Sequence, residues 1–410
     1  MTPPTPPPSP PLSPTEAIEA MLRRLDPLAT ENVTLAHAAG RVCAEPIRTD
    51  RPSPPADVSA MDGYALRLSD ATQAEGGRLP VAGTILAGQP SQPLERGKAM
   101  RIMTGAVVPP GAEAVIRRED TDEGEGWVVL HNAAAIKPGQ SIRRRGENGA
   151  ANEPVLEAGH PVTPAVATAL ASFGSGRLAV RKRVRVGLII TGDELLEPGE
   201  PAADWQIRDS NGPALRTLLH GLPWVNCQRS ERAADDRNAL MQAVIDALHR
   251  SDALLLTGGV SMGTHDFVPE ILRQAGCELV FHKLPIRPGK PLLGAIGPRG
   301  QLVVGLPGNP MSVMVTARLI GIPLLRKLAG WRHPIQHQPV VRLREYNDSK
   351  VISLWLHRPV RVIGDGLAEL VPTRGSGDVV SIAKSDGFVQ LPPNAGGEGP
   401  WPFYRWEVSC

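Results

Sequence analysis

Residues 252–274, DALLLTGGVSMGTHDFVPEILRQ, constrain the fold of this 410-residue chain more than any other stretch. An apolar run from Asp252 to Leu256 has the length of a buried strand and stops at Gly258 and Gly259; beyond a polar turn, Val268, Ile271 and Leu272 recur at helical spacing. Glycines let backbone N–H groups approach an anion without interference from a Cβ, and Asp266 is placed either to cap the helix or to hold a cation. By itself such a turn is equally compatible with a purely structural role.

The surrounding segment, 183–328, repeats the same grammar. RVRVGLIITG, DALLLTGG and QLVVGLPGN read as buried strands, and PALRTLLHGL, RNALMQAVIDALHR, FVPEILRQAG and SVMVTARLIGIPLLRKLAG as helices. Alternation of this kind implies a mostly parallel sheet with right-handed crossovers, which binds ligands beyond the carboxyl ends of its strands. All three strands run into glycine-bearing turns, at 191–194, 257–259 and 305–310, so the turns are expected to converge at one edge. Asp193, in the first of them, is expected to cap a following helix.

Around this segment the texture changes. Residues 1–14 are dominated by proline and read as a disordered tail; Ala17, Ile18, Met21, Leu22 and Leu25 then follow helical spacing, with Ser13 or Thr15 as cap. Short β-type runs separated by Gly, Pro and Asp fill 64–145, and alternating runs return beyond 332. The expected architecture is multidomain α/β plus β: a central three-layer α/β/α domain at 183–331, an inserted β-rich domain at 51–145, an elongated helical and linker domain from 15–50 and 146–182, and a barrel-like β domain at 332–410.

Composition removes several classes of function. With 44 Lys and Arg against 42 Asp and Glu, the net charge of +2 creates no global field for nucleic acid or an acidic membrane surface. Four scattered cysteines, Cys43, Cys227, Cys277 and Cys410, have neither zinc-site nor disulfide-framework spacing, so a reducing cytoplasm is expected. Neither a secretory signal nor an apolar run of about 18 residues is present, and no membrane partner is expected.

Positive charge is instead local. KLPIRPGKP brings Lys283, Arg287 and Lys290 into a segment stiffened by prolines, suited to phosphate or another oxyanion. Asp62 in SAMDGYA, Glu194 in TGDEL and Asp266 in GTHDF each sit in a turn beside Gly or Thr, and Thr104 offers a hydroxyl in RIMTGA. Carboxylates opposite phosphate-binding turns point to Mg²⁺, which takes one or two carboxylates together with substrate phosphates. No Ser-His-Asp or Cys-His arrangement is legible, and His265 is left without a role.

SAMDGYAL, RIMTGAVVPPGAEAVIRRED, SIRRRGENG, TGDELLEPG, DSNGPAL, LLTGGVSMGTHDFV, KLPIRPGKP and GLPGNPMS, in this order through nearly the whole chain after residue 15, resemble the molybdopterin molybdenumtransferase family, which includes MoeA and the gephyrin E domain. The resemblance implies insertion of molybdate into adenylylated molybdopterin, with Mg²⁺ and release of AMP, in an elongated homodimer whose site combines the α/β domain of one protomer with the SAMDGYA region of the other. It assigns catalysis to Asp62, Thr104, Glu194 and Asp266, the last two also holding metal. Substrate binding falls to Gly258, Gly259, Ser261, Lys283, Arg287, Lys290, Pro307, Pro310 and Ser376. Similar proteins often carry Asp after RRRGE where this chain has Asn148, which makes Glu147 a candidate substitute.

Two other readings compete. A molybdopterin adenylyltransferase uses a similar α/β domain with a TGG turn, but this chain continues Val260-Ser261-Met262-Gly263 instead of Thr-Gly and adds the SAMDGYA module. A dimeric scaffold would use the proline-rich tail to gather partners, among them other proteins of molybdenum cofactor synthesis.

Overall fold

The computed structural model describes residues 12–234, 236–259, 267–346 and 352–408. The proline tail over 1–11, Ser261, His265 and Asp266 lie outside the described residues. Two compact units emerge: Met1–Glu45, Ala158–Ala171 and Ser175–Cys410 form one, and Pro46–Glu157 with Ser172–Gly174 the other.

The first unit is built on a six-stranded sheet. Its strands are β1 (Val184–Thr191), β2 (Val225–Ala233), β3 (Ala253–Thr257), β4 (Glu278–His282), β5 (Leu293–Ile296) and β6 (Leu302–Leu306), in the spatial order β2-β1-β3-β6-β5-β4. The pairs β1–β2, β1–β3 and β3–β6 are parallel, and β5 is antiparallel to both β6 and β4. Every residue of β3 and β6 is buried. That is why both read as unbroken apolar runs: a strand covered on two faces has no solvent side to mark with polar residues.

Successive residues serve opposite faces. Val184, Val186 and Leu188 share one core with Leu215 and Leu219 of helix Asn211–His220. Ile189, Leu254 and Leu256 join Leu240, Val244 and Leu248 of helix Arg237–Arg250 in another. The register pairs Ile190 with Thr257 and Thr257 with Leu306, so the carboxyl ends of β1, β3 and β6 are level.

Two details depart from expectation. No helix follows TGDEL: the chain forms a short parallel pair, Leu195–Leu196 with Ile207–Arg208, and reaches its helix only at Asn211, so Asp193 caps no helix there. Strand β2, whose sequence VNCQRSERA is largely polar, was not legible as a strand because it occupies a sheet edge.

The segment after β6 is one long helical run, Pro310–Thr316, Ala317–Gly321 and Ile322–Leu328, with a π-type turn in the middle stretch. Pro323 explains the wider turn, since proline removes one intrahelical N–H and crowds the carbonyl four residues back. At the other end of the chain, Ser13 caps helix Pro14–Leu22 through a capping box with Glu16.

Beyond residue 339 the unit carries a closed barrel. Trp355–Gly364 pairs with Leu367–Leu370, which pairs with Val340–Leu343, then Trp401–Arg405, then Gly387–Leu391, and so back to Trp355–Gly364. Val360, Ala368, Val389 and Phe403 are among the side chains that fill it. Closure satisfies every strand edge, which suits a domain this small.

The second unit is a six-stranded sheet in the order Ala114–Arg117, Gly63–Leu66, Ala99–Ile102, Arg78–Ile85, Trp127–Leu130 and Thr121–Gly124. Gly63 is sandwiched so closely that a Cβ there would lie 1.8 Å from the Ile116 carbonyl oxygen. The glycine of SAMDGYA is therefore a packing requirement of the sheet, and it fixes where Asp62 emerges.

Candidate active site

The three turns expected to converge do so. Thr191, the last residue of β1, donates its hydroxyl to the Thr257 carbonyl at 3.0 Å in a buried bond, and Gly258 donates its N–H to the Leu306 carbonyl at 3.3 Å. Gly258 and Gly259 have φ of 86° and 62°, a region that L side chains rarely adopt. A Cβ on Gly258 would lie 2.4 Å from Thr191 Oγ1, so close packing as well as conformation demands glycine.

The third turn joins from β6. Gly308 lies against Gly258, and its carbonyl accepts a 2.7 Å hydrogen bond from Asn211 Nδ2. Asn211 is 7% exposed, and its Oδ1 has no hydrogen-bond partner among the described residues. A buried acceptor without a donor suits a ligand that brings an N–H or hydroxyl. Asp209 holds this corner by accepting from the Gly212 N–H at 2.9 Å. Pro307 is buried in the turn, and Pro310 opens the helical run after it. Ser376, reaching in from beyond the barrel strand Leu367–Leu370, accepts from Asn309 Nδ2 at 2.9 Å and from the Met311 N–H at 3.0 Å.

The basic segment folds as the connection between β4 and β5. Lys283 has φ of 70°, and its N–H donates to the Leu292 carbonyl at 2.7 Å while the Leu284 N–H donates to that of Lys290 at 3.1 Å. Gly289 lets the loop close on the helix after the third turn, since a Cβ there would meet Thr316 Cγ2 at 2.5 Å. Arg287 and Lys290 are exposed and Lys283 is half-buried. Ile286–Arg287 pairs in parallel with Trp355–Leu356 of the barrel.

That pairing brings in a residue the sequence did not flag. Arg358, half-buried on the same barrel strand, has its pKa lowered first by burial and also by the positive charge of Arg287. The available signal was an arginine within an otherwise apolar β run. Beside it His357 is 2% exposed, and burial lowers its pKa to about 4, so it is neutral at physiological pH.

Glu194 is exposed in the first turn, with its carboxylate folded back over Gly192, where an added Cβ would lie 2.9 Å from Oε2. Among the described residues no group of three or more His, Cys, Asp or Glu side chains is placed to hold a metal ion. Glu194 is the one described carboxylate of the expected pair, since Asp266 lies outside the described residues.

In the second unit, Asp62 and Thr104 form one compact pair. Asp62 Oδ1 accepts from both the Thr104 N–H and the Thr104 hydroxyl, each at 2.7 Å. These two bonds, followed by the charges of Arg101 and Arg118, hold the Asp62 carboxyl below its ordinary range. Both residues are exposed. Glu147 is already engaged by Arg143 Nε at 2.5 Å and the Arg144 N–H at 2.8 Å, while Asn148 accepts from Arg143 at 3.0 Å. The RRRGEN stretch is thus folded by its own side chains, and Glu147 stabilises that turn.

Level strand ends, glycine-bearing turns, an unpartnered buried acceptor and a basic loop define an α/β protein whose candidate ligand site is the carboxyl edge of its sheet. Residues 12–174 match the family model described as MoeA N-terminal region (domain I and II), and residues 187–327 that of a probable molybdopterin binding domain. The chain is 39% identical over 327 residues to the molybdopterin molybdenumtransferase of Haemophilus influenzae, covering 78% of this chain and 79% of that protein. Identity to the Synechocystis enzyme of the same name is 30%, over 90% and 93% of the two chains. The crystal structure of the molybdopterin biosynthesis moeA protein from Pyrococcus horikoshii OT3 superposes with a TM-score of 0.80 at 27% identity, over 96% of this chain and 99% of that one. The chain belongs to the molybdopterin molybdenumtransferase family.

Proposed function

We propose that the chain inserts molybdate into adenylylated molybdopterin and releases AMP, completing molybdenum cofactor synthesis. The observation that carries this reading is the convergence of the Thr191, Gly258 and Gly308 turns, with Asn211 and Ser376 attached to the third, beside Lys283, Arg287, Lys290 and Arg358. The two covered faces of β1 support its setting in a three-layer α/β/α domain.

Molybdate is a dianion, and it must approach a ligand that already carries phosphate. Each unit charge brought to about 4 Å of a cation gains about 4 kcal/mol at a surface-like dielectric and only about 1 kcal/mol in bulk water. Four cations at the entry therefore matter most once substrate has displaced solvent. Turn N–H groups and the Asn309–Ser376 pair orient the adenylylated pterin, and the Asn211 Oδ1 receives one of its donors. Glu194, with Asp266, would hold Mg²⁺ against the substrate phosphates, where the ion would supply Lewis-acid polarisation and a template. Asp62, kept ionised by Thr104, acts as the carboxylate that orients the reacting groups. We further propose a cytoplasmic homodimer whose active centre draws the Asp62–Thr104 pair from one protomer and the turns from its partner. Consistent with a reducing compartment, Cys43, Cys227 and Cys277 are free, and among the described residues no helix is long and apolar enough to cross a membrane.

The test is AMP release from preformed adenylylated molybdopterin. Release that depends on molybdate and fails in Arg287→Ala is expected. Formation of adenylylated pterin from molybdopterin and ATP, without molybdate-dependent release, would instead establish an adenylyltransferase.

A further inference from the structure

A cavity of about 500 Å³ lies in the first unit, away from the strand-end turns, lined by residues of 159–161, 318–339 and 403–407. Its distance follows from the helical run that starts at Pro310 and ends at Leu328: at about 1.5 Å per residue Arg318 lies roughly 12 Å and Arg326 roughly 24 Å along it from the third turn. Trp331 packs edge-on against Trp224, which immediately precedes β2. The cavity thus belongs to the amino-terminal edge of the sheet, opposite the edge where the reaction is placed.

Its lining is rich in donors and poor in acceptors. Arg318 and Arg326 are 7% and 4% exposed; Arg332, Arg405 and three histidines complete the basic side, and Glu407 is the one carboxylate. Arg318 donates Nε to the Arg405 carbonyl at 3.0 Å and Nη2 to Gln338 Oε1 at 3.4 Å and lies 5.6 Å from the Tyr404 ring, and among the described residues no carboxylate comes within ion-pair distance of it. Burying a cation without a counter-charge is costly, and burial lowers the Arg318 pKa. Trp331, 8% exposed, also lines the cavity, and the Arg326 guanidinium lies 4.8 Å from its ring centre. The remaining Arg318 guanidinium donors can be satisfied only by an acceptor. The volume is in the range of small-molecule sites.

We propose that this cavity is a second ligand site, for a small organic oxyanion whose phosphate or carboxylate group is held by Arg318 and Arg326. Arg332 and Arg405 line the basic rim that draws it in.

Titration calorimetry on the full chain tests this with pyrophosphate and citrate as probes, which separate phosphate from carboxylate ligands. In the Arg287→Ala chain, where the strand-end clamp is weakened, one site per chain that binds at least one probe with a Kd below about 1 mM and quenches tryptophan fluorescence is expected. Arg318→Gln added to that chain should weaken this affinity at least tenfold. If Arg318→Gln is not folded by circular dichroism, the exposed double variant Arg332→Gln/Arg405→Gln is read instead, with at least a threefold loss expected. No saturable binding of either probe, or binding lost in Arg287→Ala and kept in the cavity variants, would overturn the proposal while leaving molybdate-dependent AMP release untouched.

Discussion

Gly258→Ala offers a controlled measurement of what the strand-end turn demands. Two costs add at this position. The first is conformational: φ of 86° puts alanine in the left-handed region, at about 1–2 kcal/mol. The second is steric and polar: the new Cβ would lie 2.4 Å from Thr191 Oγ1 and 3.1 Å from its carbonyl oxygen, so the buried Thr191–Thr257 bond must break or stretch. Losing one such bond costs about 1–1.5 kcal/mol. Gly300→Ala isolates the first cost, because Gly300 has φ of 79° and nothing within 4 Å of its would-be Cβ. The two variants should therefore differ by about 1–1.5 kcal/mol, or roughly 1.5–2.5 °C in the melting temperature of a unit of this size. Differential scanning calorimetry reads the difference, and molybdate-dependent AMP release reads function. Gly300→Ala should keep activity and Gly258→Ala should lose most of it. Equal melting temperatures and equal activities would refute the claim that the turn is packed against Thr191.

Other consequences are open to simpler assays. Gly63→Ala, forced against the Ile116 carbonyl, should destabilise the second unit by about 3 kcal/mol or more, seen as an earlier calorimetric transition. Thr104→Val removes the hydroxyl donor but keeps the N–H, so the Asp62 carboxyl should move upward from its depressed position. NMR titration of Asp62 would read that shift, and an unchanged pKa would deny the hydroxyl its part. His357, with a folded pKa near 4 against an unfolded value of about 6.5, favours the folded state fully above pH 6.5. That contribution, up to about 3 kcal/mol, is lost as pH falls from 6.5 to 4. His357→Gln should flatten this limb of the urea-denaturation profile, and an unaltered slope would exclude His357 as its source.

How much of this was legible depended on what each residue faces. Strands β1, β3 and β6 announced themselves because they are buried on both sides, and their glycine turns followed directly. Strand β2 did not, because an edge strand tolerates the polar run VNCQRSERA. Strands β4 and β5 were obscured by the prolines of the loop between them. At the site, Lys283, Arg287 and Lys290 were visible as a local cluster, whereas Arg358 sits 68 residues beyond Lys290 and joins them only through pairing of Ile286–Arg287 with Trp355–Leu356. Asn211 was visible as part of a motif, but its orphaned oxygen is a property of packing, which no pattern of residue types encodes.

The same short parallel pairing has a consequence for what can be separated from what. The anion clamp hangs from the central sheet at β4 and β5, yet the backbone of its middle residues is hydrogen-bonded to the barrel, and the barrel's side also supplies Ser376 to the third turn. A chain ending near residue 331 would keep the complete sheet and one whole core, lose Phe388 from the other, and present Arg287 on an untethered loop. Possession of the α/β module is therefore a poor guide to a rigid clamp, and the C-terminal barrel, through this pairing and the Ser376 turn, is the part that holds the loop in place.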